Sequence, residues 1–203
     1  MVALSPLFDA ILQHLTLVFT SLAIGICLAT PLAIFSVFYK RVSYVVLTTI
    51  NMAQSIPSFA LVAIIVPLAG IGFVPGIVAI VLGSIVPIVK NMYVGLAKTD
   101  TALIDTGKGM GLTDLQIVRY VRLPLAYPAI FAGLKFSAII ANGIAVLTAI
   151  IGSGGLGRII FEGLSSFNIN KTLSGAIPAI LIALSLDMIF SIAEKKLKTK
   201  SVY

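Results

Sequence analysis

Long uncharged stretches, interrupted by short charged ones, are the main pattern along the chain. No Asp, Glu, Lys or Arg occurs from Ala10 to Tyr39 or from Val42 to Val89. A transmembrane helix needs about 20 apolar residues, so the first stretch predicts one span. The second stretch would be about 72 Å long as a single helix, over twice the roughly 30 Å thickness of the hydrocarbon layer. It must therefore turn, and the proline and glycine residues between Pro67 and Gly76 mark the turn.

The same reasoning predicts five transmembrane helices in a single domain that covers residues 1–203. Their predicted bounds are Thr16–Phe38, Tyr44–Val66, Ile71–Val89, Ala129–Ile151 and Leu173–Ala193. The predicted fold class is an all-α integral membrane protein. Between the third and fourth spans, residues 98–128 are too polar for lipid and form a separate segment.

The composition agrees with a membrane protein and argues against an enzyme. Apolar residues make up 59% of the chain and charged residues 10%, whereas a soluble domain has about a quarter charged residues. There is one cysteine, Cys27, and one histidine, His14. An intrachain disulfide and a cysteine-based metal site are therefore excluded. We expect no metal site and no catalytic residue on this chain, and structural roles for His14 and Cys27.

The positions of the 14 Lys and Arg residues predict the orientation of the spans. Basic residues collect in cytoplasmic loops, and five spans put the two termini on opposite sides. With the N-terminus outside, the cytoplasmic basic residues are Lys40, Arg41, Lys90, Lys98, Lys108, Arg119, Arg122, Lys135, Lys195, Lys196, Lys198 and Lys200. Only Arg158 and Lys171 then lie outside. We therefore predict an outside N-terminus and a cytoplasmic C-terminus, and interpret the basic excess as a topology signal rather than a nucleic-acid surface.

The polar segment between the third and fourth spans predicts two short helices joined by a glycine turn. Asp100 is a suitable N-cap for a helix that runs to Met110, and Gly111 is a suitable left-handed terminator. Thr113 and Gln116 have the spacing of a capping box for the second helix. An apolar stripe on that helix would contain Leu115, Ile117, Val118 and Val121. Leu123-Pro124 is expected to end it. On these residues alone, a docking element for a soluble protein and a helix lying on lipid headgroups are equally good interpretations.

The spacing of this segment resembles a known family. Asp105-Thr106-Gly107, three residues, Gly111, nine residues and Val121-Arg122-Leu123-Pro124 resemble the permease loop of bacterial ABC importers. The family pattern is Glu-Ala-Ala, three residues, Gly, nine residues, Ile, any residue and Leu-Pro. The spacing matches throughout, and the departure is in the first triplet, where Asp105 keeps the negative charge. Thr106 and Gly107 are weaker helix formers than the two alanines.

The resemblance implies a permease subunit in the bacterial cell membrane, with its cytoplasmic loop coupled to a separate ATPase subunit. ATP and magnesium would then bind to the ATPase, with no cofactor on this chain. Further implied partners are a second permease subunit, identical or similar, and an extracellular or periplasmic substrate-binding protein. Two further segments, Gln54–Leu61 and Ile151–Gly157, resemble the osmoprotectant branch of the family, which imports glycine betaine, carnitine and choline.

Two polar clusters inside apolar sequence are candidate functional sites. Asn51, Gln54 and Ser55 precede Pro57, which removes a backbone donor and weakens the helix. These side chains either line a substrate path or hydrogen-bond between helices. The second cluster consists of Gly152, Gly154, Gly155 and Gly157. It matches a dinucleotide-binding fingerprint without the strand that the fingerprint requires, so we predict a glycine-rich turn at the outer face.

The competing function is a stand-alone secondary carrier or channel. Such a carrier would be expected to show inverted repeats or charge pairs inside the membrane. No repeat is visible, and Asp187 is the one clear acid within a predicted span. Asp187 marks function, forms a structural ion pair with Lys135, or reaches the cytoplasmic interface by snorkelling.

Overall fold

The chain is almost entirely helical over the part that this computed structural model describes, which is residues 4–200, with side chains for residues 6–197. No β-strand occurs in those residues. Nine α-helices follow one another in that range: α1 Leu4–Phe38, α2 Lys40–Ala53, α3 Ser58–Ala69, α4 Phe73–Ala97, α5 Thr101–Gly109, α6 Asp114–Ile117, α7 Leu123–Leu147, α8 Gly155–Ser165 and α9 Ile169–Lys200.

Two antiparallel helices, α4 and α7, form the centre of the bundle. Gly95 near the end of α4 packs against Ala126 and Ala129 near the start of α7. At the opposite end, the N–H of Gly72 donates a 2.7 Å hydrogen bond to the carbonyl of Ile151. Small residues at these crossings let the two backbones approach closely, as is common between membrane helices.

Helices α1 and α9 pack on this central pair and complete the core. Gly25 of α1 faces Ile88 of α4, and the side-chain amide of Asn142 in α7 donates to the carbonyl of Ala179 in α9. The buried core between the helices contains Leu17, Val18, Leu22, Val62, Ile65, Ala79, Ile80, Ala138, Ala141, Ile144, Ala145, Ile151 and Leu186. The core is therefore built from four long helices together with α3.

The predicted second span is one crossing made of two helices rather than one straight helix. Helices α2 and α3 are bent by 102° across the break between Ala53 and Ser58. Pro57 lacks the N–H that would continue α2, and its ring disfavours helical geometry at Ile56. The pair begins with Ser43 against Tyr93 near the end of α4 and ends beside the start of α4, so it still traverses the bundle. Four apolar helices are long enough to cross a membrane, and the bent pair, counted as one span, brings the candidate crossings to five.

The prediction that Leu123-Pro124 ends a helix is wrong. Residues Val118–Arg122 form a single π-helical turn that joins α6 to α7, and an apolar helix continues from Asp114 to Ile151. The N–H of Leu123 donates to the carbonyl of Val118, five residues earlier. This wider turn accommodates Pro124, which has no N–H to donate. The fourth span is consequently longer than the predicted Ala129–Ile151.

Basic residues mark one end of the bundle and glycines mark the other. We call the end that holds Lys40, Lys98 and residues 99–122 the basic end, and the end that holds Gly72 and residues 152–157 the glycine end. The side chains of Lys198 and Lys200, which entered the predicted partition, lie outside the described part. Apart from Lys90 and Lys135, the basic residues of the described part lie at the ends that the predicted partition gives them.

Two lysines that the sequence placed near loops lie within membrane-crossing helices. Lys90 lies in α4 and Lys135 in α7. The Lys135 ammonium lies 2.9 Å from the Asp187 carboxylate and donates to the Ser191 hydroxyl at 2.9 Å. Asp187 therefore forms the ion pair with Lys135 that the sequence allowed.

We predict that the glycine end faces the outside. In a Cys27→Ser background, Ser166→Cys at the glycine end should react with a membrane-impermeant maleimide in intact cells. Thr101→Cys at the basic end should react only after the cells are permeabilised; both positions are exposed. Labelling of Thr101→Cys but not Ser166→Cys in intact cells would reverse the orientation.

Candidate functional site

The polar segment folds as the predicted helical hairpin, which we call the polar hairpin (residues 98–122). The Asp100 carboxylate accepts from the N–H of Ala102 and caps α5. Gly111 adopts a left-handed φ of +81°, and the N–H of Leu112 donates to the carbonyl of Gly107. Both hydrogen bonds of the predicted capping box at the start of α6 are present. Glycine is needed at position 111 because this backbone conformation strains residues that have a Cβ.

The residues that depart from the family triplet, Thr106 and Gly107, fit the hairpin without disturbing it. Gly107 is buried against α6, and a Cβ added there would lie 3.5 Å from both Ile117 and Leu112, an ordinary contact distance. The Thr106 hydroxyl donates to the carbonyl of Ala102, so it is satisfied within the helix. Asp105 is exposed. The hairpin therefore has room for the family's alanine at position 107 and keeps its charge at position 105 on the surface.

The hairpin is fixed to the bundle on one side only. The Arg122 guanidinium donates a 2.8 Å hydrogen bond to the carbonyl of Leu96 at the end of α4. Ile117 and Val118 are buried, whereas Leu115, which the predicted stripe included, is 67% exposed. The large apolar side chains that stay exposed on the hairpin are Leu103, Met110, Leu115 and Tyr120. Exposed apolar groups of this kind, away from the lipid-crossing helices, are typical of a protein-binding surface.

The glycine-rich turn joins four helices at the opposite end. Gly152, Gly154 and Gly155 all have left-handed φ values between 70° and 83°. The side-chain amide of Gln13 in α1 contacts Gly154, donates to the carbonyl of Ser153 and accepts from the N–H of Gly155. The turn is therefore clamped onto α1 by one side chain that the sequence analysis did not single out. The one sequence signal for this contact was the amide side chain of Gln13 in an otherwise apolar stretch.

Helix α8 leaves this turn in direct contact with α7. A Cβ at Gly157 would overlap the carbonyl oxygen of Val146, and a Cβ at Gly76 in α4 would lie 2.6 Å from the Ser153 Cβ. The segment before the turn is helical, so the dinucleotide fingerprint lacks its strand here as well. These glycines serve close helix packing.

The broken span places its polar residues on the surface of the single chain. Gln54, Ser55 and Pro57 are exposed at the break between α2 and α3. Asn51, one turn before the break, accepts a 3.4 Å hydrogen bond from the Lys90 ammonium. The structure therefore brings Asn51 to Lys90, a residue that the sequence analysis had counted only as part of a loop.

An open cavity of about 590 Å³ lies at the glycine end between the start of α1, α8 and the start of α9. Its charged lining is one network, in which Glu162 pairs with Lys171 at 2.9 Å and lies 3.9 Å from Arg158. Nearby, Phe167 is 97% exposed and has a left-handed φ of 51°, an unusual conformation for an aromatic residue. A strained, exposed aromatic beside a polar cavity is typical of a recognition surface.

His14 is buried in the core, as its predicted structural role requires. Its Nε2 lies 3.1 Å from the Asn142 side-chain oxygen, which links α1 to α7. Cys27 is exposed on α1. Within the described residues, no three His, Cys, Asp or Glu side chains come together as a metal site would require.

Comparisons with known proteins agree with the helical architecture. Residues 15–199 match the family described as binding-protein-dependent transport system inner membrane component. The choline transport system permease protein OpuBB of Bacillus subtilis (strain 168) is 37% identical over 185 residues, which cover 91% of this chain and 85% of that protein. The glycine betaine/carnitine/choline transport system permease protein OpuCB of the same strain is 36% identical over 190 residues, with coverages of 94% and 88%.

A solved structure has the same fold. A chain of the inward-facing MetNI methionine ABC transporter superposes with a TM-score of 0.84, covering 96% of this chain and 97% of that one. The sequence identity is 22%, so this likeness describes the fold alone.

We predict that Gly157→Ala destabilises the protein because the new methyl group overlaps the Val146 carbonyl. Overpacking of this kind costs about 1–3 kcal/mol, so the thermal unfolding midpoint of the purified protein should fall by roughly 2–10 °C. Gly143→Ala is the matched control, since a Cβ at that helical glycine meets nothing within 4 Å. Equal midpoints for the two variants would contradict the close approach of α8 and α7.

Proposed function

Because the chain belongs to the family of binding-protein-dependent transport system inner membrane components, we propose that it carries quaternary-amine osmoprotectants across the cell membrane. The chain is the permease subunit of an ABC importer and is not itself an enzyme, because ATP hydrolysis in such importers occurs on a separate subunit. The observation that supports the substrate class is the similarity to OpuBB and OpuCB, whose names include choline, glycine betaine and carnitine. In both cases the similarity extends over about nine tenths of the chain.

The proposed coupling route follows one continuous helix through the membrane. The second helix of the polar hairpin, α6, continues through the π-helical turn and α7 to Ile151, where the glycine-rich turn begins. ATP and magnesium bind on the ATPase, which contacts the exposed face of the hairpin. Because the Arg122 hydrogen bond also ties the hairpin to α4, a displacement at the basic end moves both central helices together.

The proposed partner surfaces lie at both ends and on one side of the bundle. Importers of this family work with an ATPase and a substrate-binding protein. We assign the binding protein to the glycine end, where the cavity lined by Arg158 and Glu162 and the exposed Phe167 offer a polar, partly aromatic surface. A second permease subunit, identical or similar, would pair about a two-fold axis. The exposed polar break between α2 and α3 would then face the shared path rather than lipid.

The position of Asp187 gives the secondary-carrier alternative no support. A carrier would need a titratable or ion-binding group free to change partners during transport. Asp187 is instead held by Lys135, which also donates to Ser191 and so links α7 to α9.

We predict that deletion of this chain abolishes salt-stimulated uptake of a quaternary amine. In a strain that lacks its other osmoprotectant importers, high-salt uptake of labelled glycine betaine, carnitine or choline should depend on the chain. Unchanged uptake of all three compounds after deletion would refute the substrate class and leave the ABC permease assignment intact.

We also predict that Gly111→Val uncouples ATP hydrolysis from transport. A β-branched residue forced into the left-handed region costs about 1–2 kcal/mol and redirects α5 relative to α6. The complex should assemble in the membrane, while substrate transported per ATP hydrolysed in proteoliposomes falls about tenfold.

Gly109→Val is the matched control for this variant. Gly109 lies two residues earlier, at the end of α5, without a left-handed φ, and a Cβ there meets nothing within 4 Å. Its coupling ratio should remain close to wild type. A wild-type ratio for Gly111→Val would mean that the hairpin does not transmit the ATPase motion.

A further inference from the structure

Lys90 is a cation inside a membrane-crossing helix, and none of the acidic side chains that the structure describes forms an ion pair with it. It lies seven residues before the end of α4, about 10 Å from that end by helical rise. The ion pairs among the described side chains involve Asp187 and Glu162, and neither lies within 4 Å of the Lys90 ammonium. The Lys90 ammonium donates a 3.4 Å hydrogen bond to the side-chain oxygen of Asn51. An exposed lysine at this depth is costly in lipid and is typical of a functional site.

The surroundings of Lys90 indicate a water-filled path rather than hydrocarbon. Asn51, Gln54 and Ser55 are all exposed at the adjacent break of the second crossing. Broken membrane helices commonly supply backbone and side-chain groups to substrate sites in transporters. A polar surface in the membrane-crossing region is stable only against water, substrate or a second subunit.

A cavity of about 420 Å³, which has the size of a small-molecule site, is connected to Lys90 through the hydrogen-bond partner Asn51 and is not lined by Lys90 itself. It lies between the end of α1, α2 and α4, and Asn51 is part of its lining. Tyr44 and Tyr93 also line it, together with Lys40, and no acidic side chain does. Tyr93 is oriented by Ser43, whose hydroxyl donates to the tyrosine oxygen at 2.9 Å.

The two kinds of group in this region match the two charges of a zwitterion. Tyrosine faces bind quaternary ammonium groups by cation–π attraction. A lysine ammonium beside an amide binds a carboxylate through charge-assisted hydrogen bonds. Glycine betaine and carnitine have both groups, whereas choline has the ammonium and a hydroxyl but no carboxylate.

We propose that Lys90, held by Asn51, recognises the carboxylate of a zwitterionic quaternary amine on its way through the membrane. Lys90 is thereby a specificity-determining residue that favours glycine betaine and carnitine over choline, because choline has no carboxylate for it to bind. This inference rests on the proposed function and adds the position in the permease at which the substrates are distinguished.

The test uses the whole complex, reconstituted in proteoliposomes with its ATPase and saturating binding protein. Lys90→Met should lower the rate of glycine betaine transport about tenfold, the loss expected for one charge-assisted hydrogen bond, and leave choline transport at the wild-type rate. Lys90→Arg, which keeps the charge, should restore most of the glycine betaine rate. Lys196→Met is the control, since Lys196 is exposed near the end of α9, away from the break and the hairpin, and its loss should affect neither substrate.

The outcomes separate this inference from the proposed function. If Lys90→Met slows both substrates equally, or neither, the lysine does not recognise a carboxylate, and the proposed substrate class stands. Choline transport by the wild-type complex without any glycine betaine transport would also overturn the inference. Transport of neither compound by the wild-type complex would overturn the proposed function and this inference together.

Discussion

A backbone in hydrocarbon has no water with which to hydrogen-bond, so each N–H and carbonyl needs a partner within the protein. This constraint explains why the described chain is helical, and why its interruptions occur where other groups take over. At the break after α2, the backbone is satisfied by hydrogen bonds of tight turns, such as the one from the N–H of Ser55 to the carbonyl of Met52. At the glycine-rich turn, Gln13 of α1 supplies both a donor and an acceptor. Irregular backbone is therefore tolerated where a second helix or a polar surface meets it.

Two prolines illustrate how differently the same constraint is met. Pro57 divides the second crossing and turns the chain by 102°. Pro124, in contrast, lies within a continuous helix. In the π-helical turn before it, the N–H of Leu123 donates to the carbonyl of Val118, and Pro124 itself has no N–H that needs a partner. The first proline produces an exposed polar surface, and the second preserves a rigid connection between the hairpin and the membrane.

Much of the fold could be predicted from local pattern, and the exceptions have a common cause. The uncharged stretches indicated five crossings, and the caps at Asp100 and Thr113 correctly indicated the helices of the hairpin. The effect of a proline could not be predicted, because it depends on which tertiary groups satisfy the freed backbone. Lys90 was assigned to a loop because its charge ends an apolar run, although α4 continues for two further turns. The contact of Gln13 with Gly154 joins residues far apart in sequence, and no local pattern reports it.

The π-helical turn has a further consequence for the angular phase of the long helix. Each residue advances an α-helix by about 100°, so one extra residue in a turn rotates everything before it by about that angle relative to everything after it. Removing one residue from this turn would rotate Asp105 and the rest of the hairpin about the axis of the span. The nine-residue spacing after Gly111 therefore fixes the direction in which the hairpin points about the axis of the span. The number of residues is constrained even where their identities are not.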